Sequence, residues 1–305
     1  NTADGIEING NFEYAGDIPP PPPMAGTISG YTSGGDAPGN VNTIDKFPFA
    51  TDSNATDVGD LTQARRNTVG QSSEVSGYAS GGQTPSVTDT IDKFTFVSDA
   101  NATDVGNLAQ ARAYHAGQSS SENGYVSGGI APGDTNTIDK FPFAADANAT
   151  DVGDLTQARN LAAGQSSSEN GYTSGGNNAT TNVIDKFPFA TDANATDVGD
   201  LTQGREYTAG QSSTENGYTS GGVGQTTIDK FPFASDANAT DVGDLTQARY
   251  SLTGQSSSEN GYNSGGNVLP SVTNVIDKFP FATDANATDV GDLTQGRYRL
   301  AGQQD

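Results

Sequence analysis

Apolar positions along this chain come in short pulses separated by glycine, serine, asparagine and aspartate. The pulse at residues 44–49, Ile-Asp-Lys-Phe-Pro-Phe, alternates. In an extended strand it sends Ile44, Lys46 and Pro48 to one face and Asp45, Phe47 and Phe49 to the other. Both faces then carry apolar bulk, as a sheet packed between two neighbours requires. Proline has no amide donor, so this strand should end at Pro48 or run near a sheet edge. No apolar 3.6-residue period of useful length occurs, which argues against helices.

The pulse pattern is written six times. Gly-Tyr-x-Ser-Gly-Gly begins at Gly30, Gly77, Gly124, Gly171, Gly217 and Gly261, at spacings of 47, 47, 47, 46 and 44 residues. Each copy continues through Ile-Asp-Lys-Phe, an Asp-x-Asn-Ala-Thr-Asp-Val-Gly block, Leu-x-Gln-(Ala/Gly)-Arg and Gly-Gln. In the third copy four short strands are expected, at 113–121, 124–127, 137–143 and about 152–156. Gly-Gly, Asp-Ala-Asn-Ala and Val-Gly-Asp turn signals separate them. Four strands per repeat of this length predict an all-β fold, a six-bladed β-propeller of four-stranded blades. Residues 30–305 form the propeller, and residues 1–29 form an N-terminal arm.

Composition fits many thin packing layers better than one large core: only 32% of residues are apolar, Trp is absent, and there are 39 Gly. Without Cys there are no disulfides and no thiolate metal sites. No run of 18 apolar residues exists, so no membrane insertion is expected, and no secretory signal is visible. The chain starts at Asn1 rather than Met, consistent with processing or with a longer parent product.

The net charge of −23 argues against nucleic acid or anionic lipid as a partner. Of the 14 basic residues, twelve fill repeated slots expected to be structural. These are Lys46, Lys93, Lys140, Lys186, Lys230 and Lys278, with Arg65, Arg112, Arg159, Arg205, Arg249 and Arg297. A cation repeated blade by blade is expected to pair with an acid between blades, although six Arg could also form an anion-binding ring. Only Arg66 and Arg299 fall outside these slots.

The glycine pair after a strand, the aromatic third strand, the Leu and the Arg that leads into the next inner strand together resemble kelch repeats. The resemblance covers residues 30–305. It departs from the kelch pattern in lacking the fourth-strand Trp, where Val-Gly-Asp-Leu stands instead. The near-identity of the copies also resembles kelch-like structural proteins of marine phages and other aquatic viruses. That resemblance implies a non-enzymatic fibre or virion-surface protein, outside the cell, binding a host glycan or a neighbouring subunit. A purely architectural capsid or tail decoration protein and a carbohydrate-active enzyme are the alternatives.

Ring closure is readable. The chain enters the first blade at its second strand, and residues 297–303 match an inner first strand, so the C-terminal strand should complete the first blade. Residues 24–29 loosely mimic an inner strand as well.

Two regions vary among the copies. One is the loop after Gly-Gly, at 36–43, 83–90, 130–137, 177–183, 223–227 and 267–275. The other is the triplet after each repeated Arg, at 66–68, 113–115, 160–162, 206–208, 250–252 and 298–300. Alternating strand direction puts both on one propeller face. The candidate ligand-binding residues there are Arg66, Asn67, Tyr114, His115, Glu206, Tyr207, Tyr250, Tyr298 and Arg299. The four tyrosines are expected near the channel mouth, where they suit a sugar or a protein surface. Neutral drift of tolerant loops would give the same pattern.

The Asp-x-Asn-Ala-Thr-Asp blocks offer oxygen ligands at alternate positions, as Ca²⁺ takes them, but Asp57 and Gln63 break the EF-hand pattern. Structural turns are the stronger reading, and no cofactor or metal is called for. Asn-Ala-Thr is also an N-glycosylation acceptor, present six times plus once at 178–180. Catalysis finds little support: His115 stands alone, and every repeated acid recurs, whereas an active site needs asymmetry. In the arm, Pro19–Pro23 is a polyproline spacer, either a tether to a larger assembly or a leader.

Overall fold

The computed structural model describes residues 27–177 and 181–305. Six sheets of four antiparallel strands form six propeller blades, and no helix occurs among the described residues. The fourth blade is representative. Its strands, from channel to rim, are Ala163–Ser166, Asn170–Ser174, Val183–Pro188 and Thr196–Asp200. Each expected strand exists, with no end moved by more than four residues. The third strand ends on its proline, and it is a central strand paired on both sides. In the first blade Pro48 forms the last pair, with Ser29.

The C-terminal strand Ala301–Gln304 is the innermost strand of the first blade, paired to Ser29–Ser33. The ring therefore closes through the C-terminus, and residues 27–29 are not an inner strand. Ser29 instead bonds Asp305, and Ile28 accepts the Phe49 amide. The arm at residues 1–26, its polyproline run and the acceptor at 178–180 lie outside the described residues.

The alternation of Ile-Asp-Lys-Phe-Pro-Phe builds the joints between blades. Ile44 packs toward the second blade with Tyr31, Leu61 and Phe94, while Phe47 packs toward the sixth with Tyr262, Ile276 and Leu293. In every joint the Gly-Tyr tyrosine of one blade meets the two phenylalanines of the next. Tyr172 lies 4.8 Å from Phe233, nearly parallel, and Tyr262 repeats this on Phe49 at 4.7 Å across the closure. Such pairs add roughly 1 kcal/mol each beyond the area they bury.

Polar groups repeat with the same regularity. Each repeated Arg is buried against the Ile-Asp-Lys-Phe aspartate of the blade it leads into. The pairs are Arg65–Asp92, Arg112–Asp139, Arg159–Asp185, Arg205–Asp229, Arg249–Asp277 and Arg297–Asp45, at 2.9–3.2 Å. The same aspartates hold the connecting strand: Asp185 accepts from the Thr156 amide and hydroxyl. Each repeated Lys reaches an aspartate in the third-to-fourth turn of the next blade. These pairs run Lys46–Asp99, Lys93–Asp146, Lys140–Asp192, Lys186–Asp236, Lys230–Asp284 and, across the closure, Lys278–Asp52.

The Asn-Ala-Thr-Asp-Val-Gly block is a third joint. Asn101 accepts the Asp60 amide of the preceding blade through Oδ1, and Asp57 accepts the Gly59 amide within its own turn. Gly59 sits at φ +156°, and a Cβ there would lie 2.5 Å from the Ala100 carbonyl oxygen of the neighbouring blade. The block thus forms structural turns, and among the described residues no three His, Cys, Asp or Glu side chains converge as a metal site.

Candidate functional site

The innermost strands surround a central cavity of about 180 Å³. Its wall is built from the Gly-Gln-Ser stretch of five blades and from Gly302-Gln303-Gln304 of the first. Neighbouring inner strands touch through glycine: a Cβ at Gly164 would lie 2.1 Å from the Gly117 carbonyl oxygen. The glutamine after each such glycine turns away and is buried between blades, where Gln165 donates to the Tyr218 carbonyl and to Thr219. Serines of five blades line the channel and link along it, amide to hydroxyl, from Gln304 to Ser72, Ser72 to Ser119, Ser119 to Ser166, Ser166 to Ser212 and Ser212 to Ser256. Among the described residues, no carboxylate lines this cavity.

At one end the cavity is framed by the variable triplets, whose three positions have three different environments. The first lies beside the variable loops and bridges to them, as in Arg66 with Gln83, Ala113 with Ile130, and Tyr250 with Asn267; it is half-exposed in four blades and buried at Ala113 and Asn160. Both variable regions therefore share one face. The third position lies behind the mouth against the cavity wall: Thr68, His115, Thr208, Leu252 and Leu300 are all under one-tenth exposed, and Ala162 is half-buried.

The second position forms the mouth. Asn67, Tyr114, Leu161, Tyr207, Ser251 and Arg299 all adopt φ between +55° and +61°. Each amide donates to the carbonyl of its counterpart in the preceding blade. The series runs Tyr114 to Asn67, Leu161 to Tyr114, Tyr207 to Leu161, Ser251 to Tyr207, Arg299 to Ser251 and Asn67 to Arg299, at 2.8–3.3 Å. This closed ring of six backbone hydrogen bonds explains why non-glycine residues hold the left-handed conformation, which ordinarily costs about 1 kcal/mol or more per residue. Nothing in the residue types announces it.

The tyrosines therefore do not form a single cluster at the channel mouth. Tyr114 and Tyr207 line the channel, whereas Tyr250 and Tyr298 take the first position beside it. Tyr207 and Tyr250 remain in edge contact, with ring centres 5.6 Å apart. Arg299 bridges the two sets, 4.9 Å from the Tyr298 ring centre and 5.8 Å from that of Tyr114. Burial raises the Tyr207 pKa, and nearby Tyr114 adds to the shift while Arg299 opposes it.

The other candidates divide between rim and core. Arg66 is paired with Asp36 at 2.6 Å. Burial of Asp36 opposes its ionisation, but the Arg66 and Gly39 hydrogen bonds and the Arg66 charge prevail and hold its pKa low. Asn67 is 6% exposed and donates to Gln83. Glu206 occupies the first position. His115 is 7% exposed, against the close-packed Gly81 and Gly129, and neither ring nitrogen makes a well-formed hydrogen bond. Burial, with the Arg112 charge second, pushes its pKa down to about 3, so the ring is a neutral packing element. A buried position beside a close-packed glycine explains the departure from a surface ligand role.

No protein-family model matches this chain, and no curated protein does. The site is therefore read from its own geometry.

Proposed function

We propose that the chain is a non-enzymatic surface module that binds a glycan or protein partner through the face carrying the variable loops and the channel mouth. One observation carries this reading. The side chains that recur in every blade are tied into joints between blades, whereas the chemical variety and the free aromatic surface gather on one face. A uniform frame presenting one varied face is how a recognition surface is built on a repeat scaffold. The absence of carboxylates from the channel wall, among the described residues, weighs against the carbohydrate-active enzyme. The kelch-like pattern of the repeats, and their likeness to structural proteins of aquatic viruses, favour a fibre or virion-surface role outside the cell.

The architectural reading draws on a different observation: several varied residues pair with each other rather than face outward. Arg66 pairs with Asp36, and Asn160 and Asn177 both donate to Asp134 of the neighbouring loop. The deciding experiment is binding of the purified protein to a broad glycan panel, beside a variant with Tyr114, Tyr207, Tyr250 and Tyr298 changed to Ala. Specific binding that the variant loses supports recognition by this face. A well-folded protein that binds nothing favours the architectural role, with residues 1–29 as the next segment to test.

A further inference from the structure

Thirteen of the 14 basic residues make ion pairs with carboxylates, and all 14 lie within the described residues. The remaining one is Arg299. It stands in the mouth of the channel between the rings of Tyr114 and Tyr298, with the Tyr207 side chain in reach and the Asp36 charge acting on it from the rim. Other buried groups of the cavity wall lack partners among the described residues: the Ser251 and Thr208 hydroxyls, on residues 6% and 8% exposed, and both ring nitrogens of His115. Buried polar atoms are almost always satisfied, so the two hydroxyls are positioned to meet a ligand.

We propose that the channel mouth is a binding site for a monosaccharide-sized ligand carrying a carboxylate, with Arg299 as the anion contact. This rests on the reading of the varied face as a recognition surface and names the ligand class. The guanidinium offers paired donors that match a carboxylate; among the described residues no acid lines the cavity wall, and the acid that acts on it from the rim, Asp36, is already paired with Arg66. Tyr114 and Tyr207 flank it with ring faces and hydroxyls, which suit the apolar face and the oxygens of a sugar. The Ser251 and Thr208 hydroxyls meet the remaining ligand oxygens. A cavity of about 180 Å³ takes one sugar ring and excludes a folded peptide. In a chain of net charge −23, a cation without an ion pair among the described residues also sets one anion-attracting point on a repelling surface.

The test is calorimetric titration of the intact protein with glucuronate, galacturonate and N-acetylneuraminate. Glucose, galactose and acetate run beside them. At least one acidic sugar should bind about tenfold or more tighter than its neutral counterpart and than acetate. Arg299→Gln should abolish that preference, while Lys186→Gln, which removes the same charge from the opposite face, should leave it. Equal binding of acidic and neutral sugars, acetate binding as tightly as the acidic sugars, or an Arg299→Gln variant that binds like the parent would each overturn the proposal. If no acidic sugar binds but the panel still reveals a ligand lost in the tyrosine variant, the anion site fails and recognition stands. If neither binds, both fail.

Discussion

Arg297 and Arg299 are two residues apart and differ in almost every physical respect. Arg297 is fully buried, paired with Asp45, and hydrogen-bonded to the carbonyls of Thr43 and Thr32. It has five equivalents around the ring. Arg299 is half-buried, makes no ion pair among the described residues and has no basic counterpart in any other blade. The first belongs to the joints that make the propeller, and the second to the mouth that makes this propeller unlike a uniform ring. Repetition marks the frame here, and the break in repetition marks the candidate site.

The contrast is most easily broken by removing a partner. Asp45→Ala leaves Arg297 buried without its counter-charge and strips the connecting strand of the two bonds from Thr294. Loss of one partner from a buried pair costs about 3–5 kcal/mol, which chemical denaturation will read directly. Arg299→Gln, measured the same way, should change stability by less than ~0.5 kcal/mol. Comparable losses at the two sites would erase the distinction between joint and mouth.

A pH experiment sharpens the same contrast at the triplets. His115 belongs to the buried third position, where the sixth and first blades carry Leu252 and Leu300. Its folded pKa, about 3, lies below the ordinary 6.5 because burial and the nearby Arg112 and Arg65 charges disfavour the imidazolium. The unfolded chain therefore takes up a proton that the folded one refuses as pH falls through 6.5. The stabilising contribution is full above pH 6.5 and declines toward pH 3. At about 1.4 kcal/mol per pH unit, the loss between pH 6 and pH 4 is about 2.5 kcal/mol. His115→Leu should remove that part of the acid sensitivity. Parallel stability curves for parent and variant would show that His115 is solvated.

Most of the frame was legible because every signal occurred six times. Alternation in Ile-Asp-Lys-Phe-Pro-Phe, glycine at turns and close contacts, and an inner-strand pattern at the C-terminus are local properties that repetition amplifies. The site was legible only in outline. The triplets could be seen to vary, and Arg66 and Arg299 to fall outside the repeated slots. What could not be read was that three consecutive residues take three different settings: beside the variable loop, in the channel mouth, and behind the mouth against the cavity wall. That division depends on a left-handed residue at the middle position, held by hydrogen bonds between blades. Tyr114, Leu161 and Arg299 carry no local preference for that conformation.

The smallest effect examines that ring itself. At Leu161, φ is +61°. Glycine adopts this conformation without the Cβ penalty, at the expense of extra freedom in the unfolded chain. The two terms oppose each other, so Leu161→Gly should alter stability by less than about 1 kcal/mol in either direction. A β-branched side chain is poorly tolerated in the left-handed region, and Leu161→Val should be the more damaging, by about 1–2 kcal/mol. In an ordinary extended inner strand the order reverses, because valine favours strands and glycine weakens them. The ranking of these two variants in thermal unfolding, more than the size of either effect, therefore reports whether the channel mouth is framed by a closed left-handed ring.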